Sequence, residues 1–498
     1  MFAFSRQKGV FILVVSSAAL FSGCSRNRDS ASDSKSTTPS ANLKRHNVLL
    51  VTLDTTRVDY LSCYDSSKGE LTPTFDAVAA DGVRFDFAIS QSAGTPMSHA
   101  SILTGLNPYQ HGVRVISAAG GYKLDPRIPT LATVLSEHGW DTGAFLSAFT
   151  VSEYYGFDNG FAVYDNGLVT DPEKIVEDVA GGFQKWEQRR HQRRSDETIN
   201  RALEWIGRER SAPFFMWLHL WDPHDRMILP PPDVVASFTR PGMSEAEHKR
   251  AIYRAEVHYF DQQFGRLIEE LKRSGQYDDT IIVIVADHGQ GLGQHDWWSH
   301  RLLYQEDIHV PLIVRAPGWA RGASAAELVR TIDIYPTILE EIGLEPRNAV
   351  AGRGLSGLAA GEAEPPRKAY ADQINKYDLV SVSFAKKRPN DDLLFCAIEG
   401  KWKLIYRYSR PELSELFNLA VDPHEQRNLY ADNPAQARRL KDYLDECNGY
   451  VTAPFEGDEG PERKTLEHLE SLGYVGSDDE EEEDEAASQP IRSAQEEP

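Results

Sequence analysis

Cysteine is scarce in this chain: four among 498 residues, Cys24, Cys63, Cys396 and Cys447, with no CxxC pair. That excludes a dense disulfide framework and a thiolate metal cluster. Positive charge is also short, 53 Lys and Arg against 75 Asp and Glu, giving a formal charge of -22. A nucleic-acid partner is therefore not expected. Long apolar runs are missing apart from Gly9 to Phe21, too short for a comfortable membrane span. Gly and Pro, 36 and 27 residues, stay near average usage, which excludes collagen-like or wholly disordered chains.

With 41% hydrophobic residues over 498 positions, the chain can bury more than one core, since single cores stop growing near about 250 to 300 residues. At the start, Arg6 and Lys8 precede the apolar stretch and Ser22-Gly23-Cys24, the pattern of an export signal. Small residues before a thiol resemble a bacterial lipoprotein processing site, with Phe21 where Leu is usual. Residues 1-24 are then a signal, Cys24 the lipid attachment, and 25-44 a flexible linker; ordinary secretion or an uncleaved anchor is the alternative. An exported, periplasmic or envelope location follows. Residues 451-498 read as linker and tail, because the eight acids Asp478 to Glu485 repel one another and bury nothing. If Cys24 carries lipid, three cysteines remain, enough for one internal bridge.

The body alternates strands and helices, which favours an α/β sheet. Asn47 to Leu53, Phe214 to Leu220 and Thr280 to Ala286 are apolar runs suited to strands covered on both faces. They end respectively at Asp54, at Asp222-Pro223-His224 and at Asp287-His288-Gly289. Open α/β sheets place their sites in the crevice beyond such carboxyl ends. The expected architecture is a large, mostly parallel sheet sandwiched by helices over 45-365, with a smaller α+β domain over 366-450. Gly352 to Pro366 reads as the connection, and Glu399-Gly400 as a hairpin turn. Tyr154, Tyr155, Phe157, Phe161 and Tyr164 suit either a substrate-facing insertion or a core seal.

Asp54, Asp287 and His288 offer two carboxylates and an imidazole from strand ends, a set suited to a divalent cation. Thr95 heads a short helix, where free N–H groups and the helix dipole favour an anion. Metal coordination there would make its hydroxyl a better nucleophile. Each feature also has a plain reading: Thr95 as a helix cap followed by Pro96, Asp54 as a turn acid, Asp-His-Gly as a loop.

Several long segments then match in order: NVLLVTLDTTRVDYLSCY (Asn47 to Tyr64), LTPTFDAVAADGVRF (Leu71 to Phe85), TPMSHASILTGLNPYQHGV (Thr95 to Val113), DPH (Asp222 to His224), VIVADHGQGLGQHDWW (Val283 to Trp298), YQEDIHVPLIVRAPG (Tyr304 to Gly318) and ELFNLAVDPHEQRNL (Glu415 to Leu429). Together they resemble the sulfatase family of the alkaline phosphatase-like superfamily. The resemblance implies a metal site of Asp54, Asp287, His288 and Thr95, with Ca2+ favoured and Mn2+ or Zn2+ as alternatives. It places Thr95 as nucleophile and His224 against the ester and its leaving oxygen. His300 falls where an anion-binding Lys is common, and His295 lies in the same substrate-binding stretch. His99 replaces the usual Arg after the nucleophile, removing a permanent anion fork for which His224, His295 and His300, with Lys123 or Arg57, would compensate; His99 and His300 count with Thr95 and His224 as the catalytic candidates. His111 organises the loop after the nucleophile helix, and His309 reads as structural.

Three departures shape the function. Typical members carry Cys or Ser at position 95, oxidised to formylglycine, an aldehyde hydrate Thr cannot supply; Thr55 replaces a second Asp; Met97 replaces a Pro. The expected activity is metal-dependent hydrolysis of anionic sulfate or phosphate esters, with glycan- or lipid-linked esters among the expected substrates, by direct attack of Thr95. The alternatives are an envelope phospho-group transferase and a silent polyanion-binding homologue. Mass spectrometry of the mature amino terminus is expected to find an acylated Cys24; an intact Met1 or an unmodified downstream terminus overturns the anchor.

Overall fold

Seven-residue, largely apolar runs build the centre of the main sheet. In the computed structural model, which describes residues 43–166, 192–224 and 228–457, β1 (Asn47–Leu53), β2 (Val83–Ile89), β3 (Asp141–Phe145), β4 (Val163–Asp165), β5 (Phe214–Leu220), β6 (Thr280–Ala286), β7 (His309–Arg315) and β8 (Ala323–Arg330) form one eight-stranded sheet. The order is β4-β3-β5-β1-β6-β7-β2-β8. β1 lies between β5 and β6, parallel to both, and all three bury nearly every side chain. β7 runs antiparallel to β6 and to β2, so β2 points the same way as β1, β5 and β6. The residues following those four strands therefore emerge on one edge.

Helices cover the faces. The longest, Glu245–Arg273, starts at a capping box in which Ser244 and Glu247 satisfy each other's backbone N–H groups. Its buried stripe sets Phe260 and Phe264 against Phe75 of the helix Pro73–Ala80. The aromatics after Thr150 turn to the core. Tyr155 and Phe157 are fully buried, and Phe157, Phe161 and Tyr164 all meet Trp217 of β5.

A second, antiparallel sheet of order β12-β11-β10-β9 is built from β9 (Lys368–Gln373), β10 (Leu394–Glu399), β11 (Trp402–Arg407) and β12 (Glu415–Asn418). The turn at Gly400, φ +57°, joins β10 to β11, and the helix Pro434–Cys447 packs on both. Cys63, Cys396 and Cys447 are free thiols. No helix among the described residues is long and apolar enough to cross a membrane. The segment ending at Cys24, nearly all of the 25–44 linker, residues 167–191 of the aromatic-rich insertion and the acidic run 478–485 lie outside the described residues.

Behind the second sheet sits a fully buried ion pair, Lys403 Nζ to Glu425 Oε1 at 2.7 Å. Glu425 Oε2 also accepts from the N–H of Gln305 in the main domain. Breaking a buried pair from one side leaves an uncompensated charge, at a cost of about 3 to 5 kcal/mol. Lys403→Met is expected to lose stability of that order in urea denaturation, and Lys403→Met/Glu425→Gln to recover part of it.

Candidate active site

Leu53 and Ala286 are register partners on β1 and β6, so Asp54 and Asp287 leave the sheet side by side. The N–H of Asp287 donates to the Leu53 carbonyl (3.3 Å) and that of Asp54 to the Leu220 carbonyl (2.9 Å), which carries the ladder past the strand ends. The chain then turns through Thr55 at φ +46°, a left-handed conformation that β-branched residues rarely adopt. Tyr253 of the long helix pins this turn: its hydroxyl donates to the Thr55 carbonyl (2.7 Å) and accepts from the Arg57 N–H (3.0 Å). On the other side, the loop of Asp287 passes so close to the chain that a Cβ at Gly289 would lie 2.1 Å from the Glu306 carbonyl oxygen. Only glycine fits that crossing.

Asp287 Oδ1 accepts from the N–H groups of Thr55 (3.2 Å) and His288 (2.7 Å). Asp287 Oδ2 and Asp54 Oδ1 are buried and meet no donor among the described residues. His288 Nδ1 lies 2.8 Å from the Gly289 carbonyl. A carbonyl only accepts, so Nδ1 carries the proton and Nε2 presents a lone pair. That lone pair is 3.4 Å from Asp287 Oδ2, and the ligand atoms of Asp54, Asp287 and His288 all lie within 4.8 Å of one another. Acceptors converging on one buried point leave room for a cation. A 3.4 Å separation is the edge of a tetrahedron with bonds of about 2.1 Å or of an octahedron with bonds of about 2.4 Å. Burial pushes the Asp54 carboxyl well above the usual range, and burial plus the facing Asp54 do the same to Asp287. A divalent ion reverses that preference. The residues present therefore form a divalent-metal triad.

Thr95 is not the cap of its helix, Thr95–Thr104; Gly94 holds the cap position. The Thr95 hydroxyl instead lies 3.4 Å from Asp54 Oδ2, to which it donates, and 3.3 Å from His288 Nε2. It is buried at the amino end of the helix and beside the triad.

The histidines divide into groups. His300 Nδ1 lies 2.9 Å from the Ala93 carbonyl, and its ring is 4.7 Å from His288 and 5.3 Å from His224. His224 stacks on Trp221 with centroids 3.8 Å apart. His99 sits one helical turn after Thr95, its Nδ1 2.8 Å from the Thr95 carbonyl and 3.6 Å from Asp287 Oδ2. Burial holds His99, His224 and His300 well below the usual imidazole range, so none is a permanent cation. His295 has different partners: Glu306 on Nδ1, the Glu425 carbonyl on Nε2 (3.3 Å), and the ring of Tyr304 stacked at 3.7 Å. None of these contacts is to Thr95 or to the triad. Asp222 accepts from both the N–H and the hydroxyl of Ser195 and so anchors the helix Ser195–Ile206. Arg57 is committed to Asp59, Gln290 and Gln294, and Lys123 is exposed. His111 bridges Ser101 and the Val113 N–H, and His309 meets the Asp86 carbonyl.

His219 escapes the reading by motif. It lies inside β5, opposite Thr52 of β1, and its Nε2 is 3.2 Å from Asp54 Oδ2. Burial holds it neutral, with a pKa pushed down to about 3. The available signal was an imidazole interrupting the apolar run FFMWLHL three residues before Asp222.

A sulfatase family model matches residues 46–344. The chain belongs to the sulfatase family. A second model, the C-terminal region of N-sulphoglucosamine sulphohydrolase, matches residues 293–448. The family and the triad together make this sulfatase-fold protein a metal-dependent hydrolase of sulfate or phosphate esters. Among curated proteins it is 26% identical over 493 residues to a multifunctional alkaline phosphatase superfamily protein, PehA, of Trinickia caryophylli, covering 80% of this chain and 94% of that one. It is 23% identical over 505 residues to an N-acetylglucosamine-6-O-sulfatase of Bacteroides thetaiotaomicron, covering 81% and 86%. Among solved structures, a phosphonate monoester hydrolase of Agrobacterium radiobacter shares the fold, with a TM-score of 0.64 at 23% identity over 82% of this chain and 96% of that one.

The raised carboxyl pKa values make the metal-free folded state hold these protons more tightly than the unfolded chain does. That stabilisation is complete in acid and is lost as pH rises through the raised values. Adding a divalent ion to chelator-stripped sulfatase is therefore expected to raise its melting temperature more at about pH 8 than at about pH 5. A calorimetric shift that is absent, or equal at both pH values, counts against the triad.

Proposed function

We propose that Thr95 itself attacks the phosphorus or sulfur of an anionic ester, forming a short-lived threonyl ester that water then removes. The observation carrying this reading is the direction of the Thr95 hydroxyl, away from any capping role and between Asp54 Oδ2 and His288 Nε2. A divalent ion held by Asp54, Asp287, His288 and the Thr95 hydroxyl would supply charge that makes this hydroxyl more acidic and screens the ester's oxygens. The hydroxyl proton leaves toward Asp54. The helix amino end offers its N–H groups to the transferred group. His224 and His300 face that group, and an anion set against them favours their protonated forms. His224 then donates a proton to the leaving oxygen. His219 holds Asp54 Oδ2, and His99 holds the main chain of the nucleophile.

Direct hydroxyl attack needs no formylglycine, and it suits phosphate esters at least as well as sulfate esters. The curated relatives support both classes, one being a multifunctional alkaline phosphatase superfamily protein and the other a sulfatase named for an amino sugar, which also fits a glycan-linked substrate. The family favours Ca2+, whereas the imidazole of His288 in the donor set favours Mn2+ or Zn2+. Elemental analysis of freshly purified, unchelated protein distinguishes them. The basic start, the apolar run and Ser22-Gly23-Cys24 support an exported protein with a lipid anchor at Cys24 as part of this proposal.

The test is a metal-supplemented comparison of aryl sulfate, phosphate monoester, phosphate diester and phosphonate turnover by wild type and Thr95→Ala. Turnover is expected to fall by about 10² to 10⁴ in the variant, and coexpression with a formylglycine-generating enzyme to leave the wild type unchanged. Equal turnover by both proteins eliminates the mechanism.

A further inference from the structure

Position 99 carries an imidazole, not a guanidinium, and the basic side chains described around Thr95 are histidines, His99, His224 and His300 among them. A pocket for a sulfuryl or phosphoryl group with no fixed cation beyond its metal would be unusual chemistry, because the two or three outer oxygens of that group need donors. Arg301 stands next in sequence to His300 and answers this need. It is only 7% exposed, and its backbone lies at φ +83°, a left-handed conformation that is strained for a long side chain. Its carbonyl accepts from Asn375 Nδ2 (3.1 Å). Its Nη1 donates to Asp378 Oδ2 (2.9 Å) and to the hydroxyl of Ser381. Its Nη2 is buried with no partner among the described residues. Its neighbour His300 sets its ring 4.7 Å from that of His288 and 5.3 Å from that of His224, which brings this stretch of chain to the triad.

One end of the guanidinium is thus clamped and the other is unsatisfied, on a strained backbone next in sequence to His300. We propose that Arg301 is the fixed cation of the substrate pocket, its Nη2 donating to an oxygen of the transferred phosphoryl or sulfuryl group in place of the guanidinium missing at position 99. The inference rests on the ester-hydrolase reading of the same site. Asp378 is the positioning residue: besides Arg301 it accepts from the N–H groups of Ile116 (3.3 Å), Ser117 (3.1 Å) and Val380 (3.3 Å). It therefore keeps partners when the guanidinium is removed.

Inorganic phosphate binding to the metal-loaded full-length protein, measured by calorimetry, tests this without turnover. Arg301→Gly removes the guanidinium and gives the left-handed backbone a residue that adopts it freely. It is expected to bind phosphate about 10- to 100-fold more weakly, the size of a lost charge-assisted hydrogen bond, with metal stoichiometry unchanged. Arg301→Lys, which keeps the charge but not the fork, and Asp378→Asn, which loosens the clamp, are expected to fall between wild type and Arg301→Gly. Wild-type phosphate affinity in those of the three variants that retain metal and fold overturns the proposal, as does a loss of melting temperature with no loss of affinity. Thr95→Ala separates the two readings. It is expected to lose turnover; if it turns over normally the nucleophile assignment fails, while the phosphate measurements on the Arg301 and Asp378 variants still judge Arg301.

Discussion

Two carboxylates forced together at the dry edge of a parallel sheet set the terms for everything around them. Asp54 and Asp287 cannot both ionise there without a counter-charge, and the in-register pairing of β1 with β6 leaves them no room to separate. Several nearby contacts hold this pair in place. Tyr253 locks the turn after Asp54, the hydroxyl of Ser90 donates to the Asp287 carbonyl, and His219 reaches Asp54 from β5. The surrounding imidazoles stay neutral, so the charge that the pair demands has to come from a cation. Folding and metal binding are for that reason one problem in this protein.

How far the sequence foretold this depended on whether burial left a mark in the residue pattern. β1, β5 and β6 are covered on both faces, so their largely apolar runs were legible, and so were the acids that follow them. β8 and β9 were not. β8, ASAAELVR, is an edge strand with four exposed or half-exposed positions among its first five, and β9 mixes Lys, Asp and Gln with small residues. Thr95 was ambiguous in principle, because a capping threonine and a nucleophilic threonine before proline are written identically. Only the direction of the hydroxyl separates them. His219 was invisible for a related reason: a lone histidine in an apolar strand usually reads as core, and here it is buried and also in contact with the site. The aromatics after Thr150 allowed two readings until Trp217 was seen to gather three of them.

The smaller sheet does more than fill out the chain. The loop before the nucleophile helix is tied to β9 through the Ser92 hydroxyl, which donates to the Asp372 carbonyl, and through the Asp372 N–H, which donates to the Gln91 carbonyl. The segment after His300 is tied by Asn375, Asp378 and Glu425. Buried loops carry backbone and guanidinium groups that no ladder satisfies, and here the second sheet supplies their partners. His295 belongs to that bracing, joined to Glu306 and to the Glu425 carbonyl.

The single reversed strand has a consequence for how such a protein can diversify. Because β7 returns beside β6 in the opposite sense, the chain needs no crossover helix between them, and residues 287–308 leave and re-enter the sheet at neighbouring points of the same edge. The stretch from Gln290 to Arg301 is held at its ends by buried residues, Gln290 and Leu292 before and His300 and Arg301 after, so rewriting is confined to the half-exposed and exposed positions 293–299 between them, other than the bracing His295, while the acids of β1 and β6 stay where the core put them.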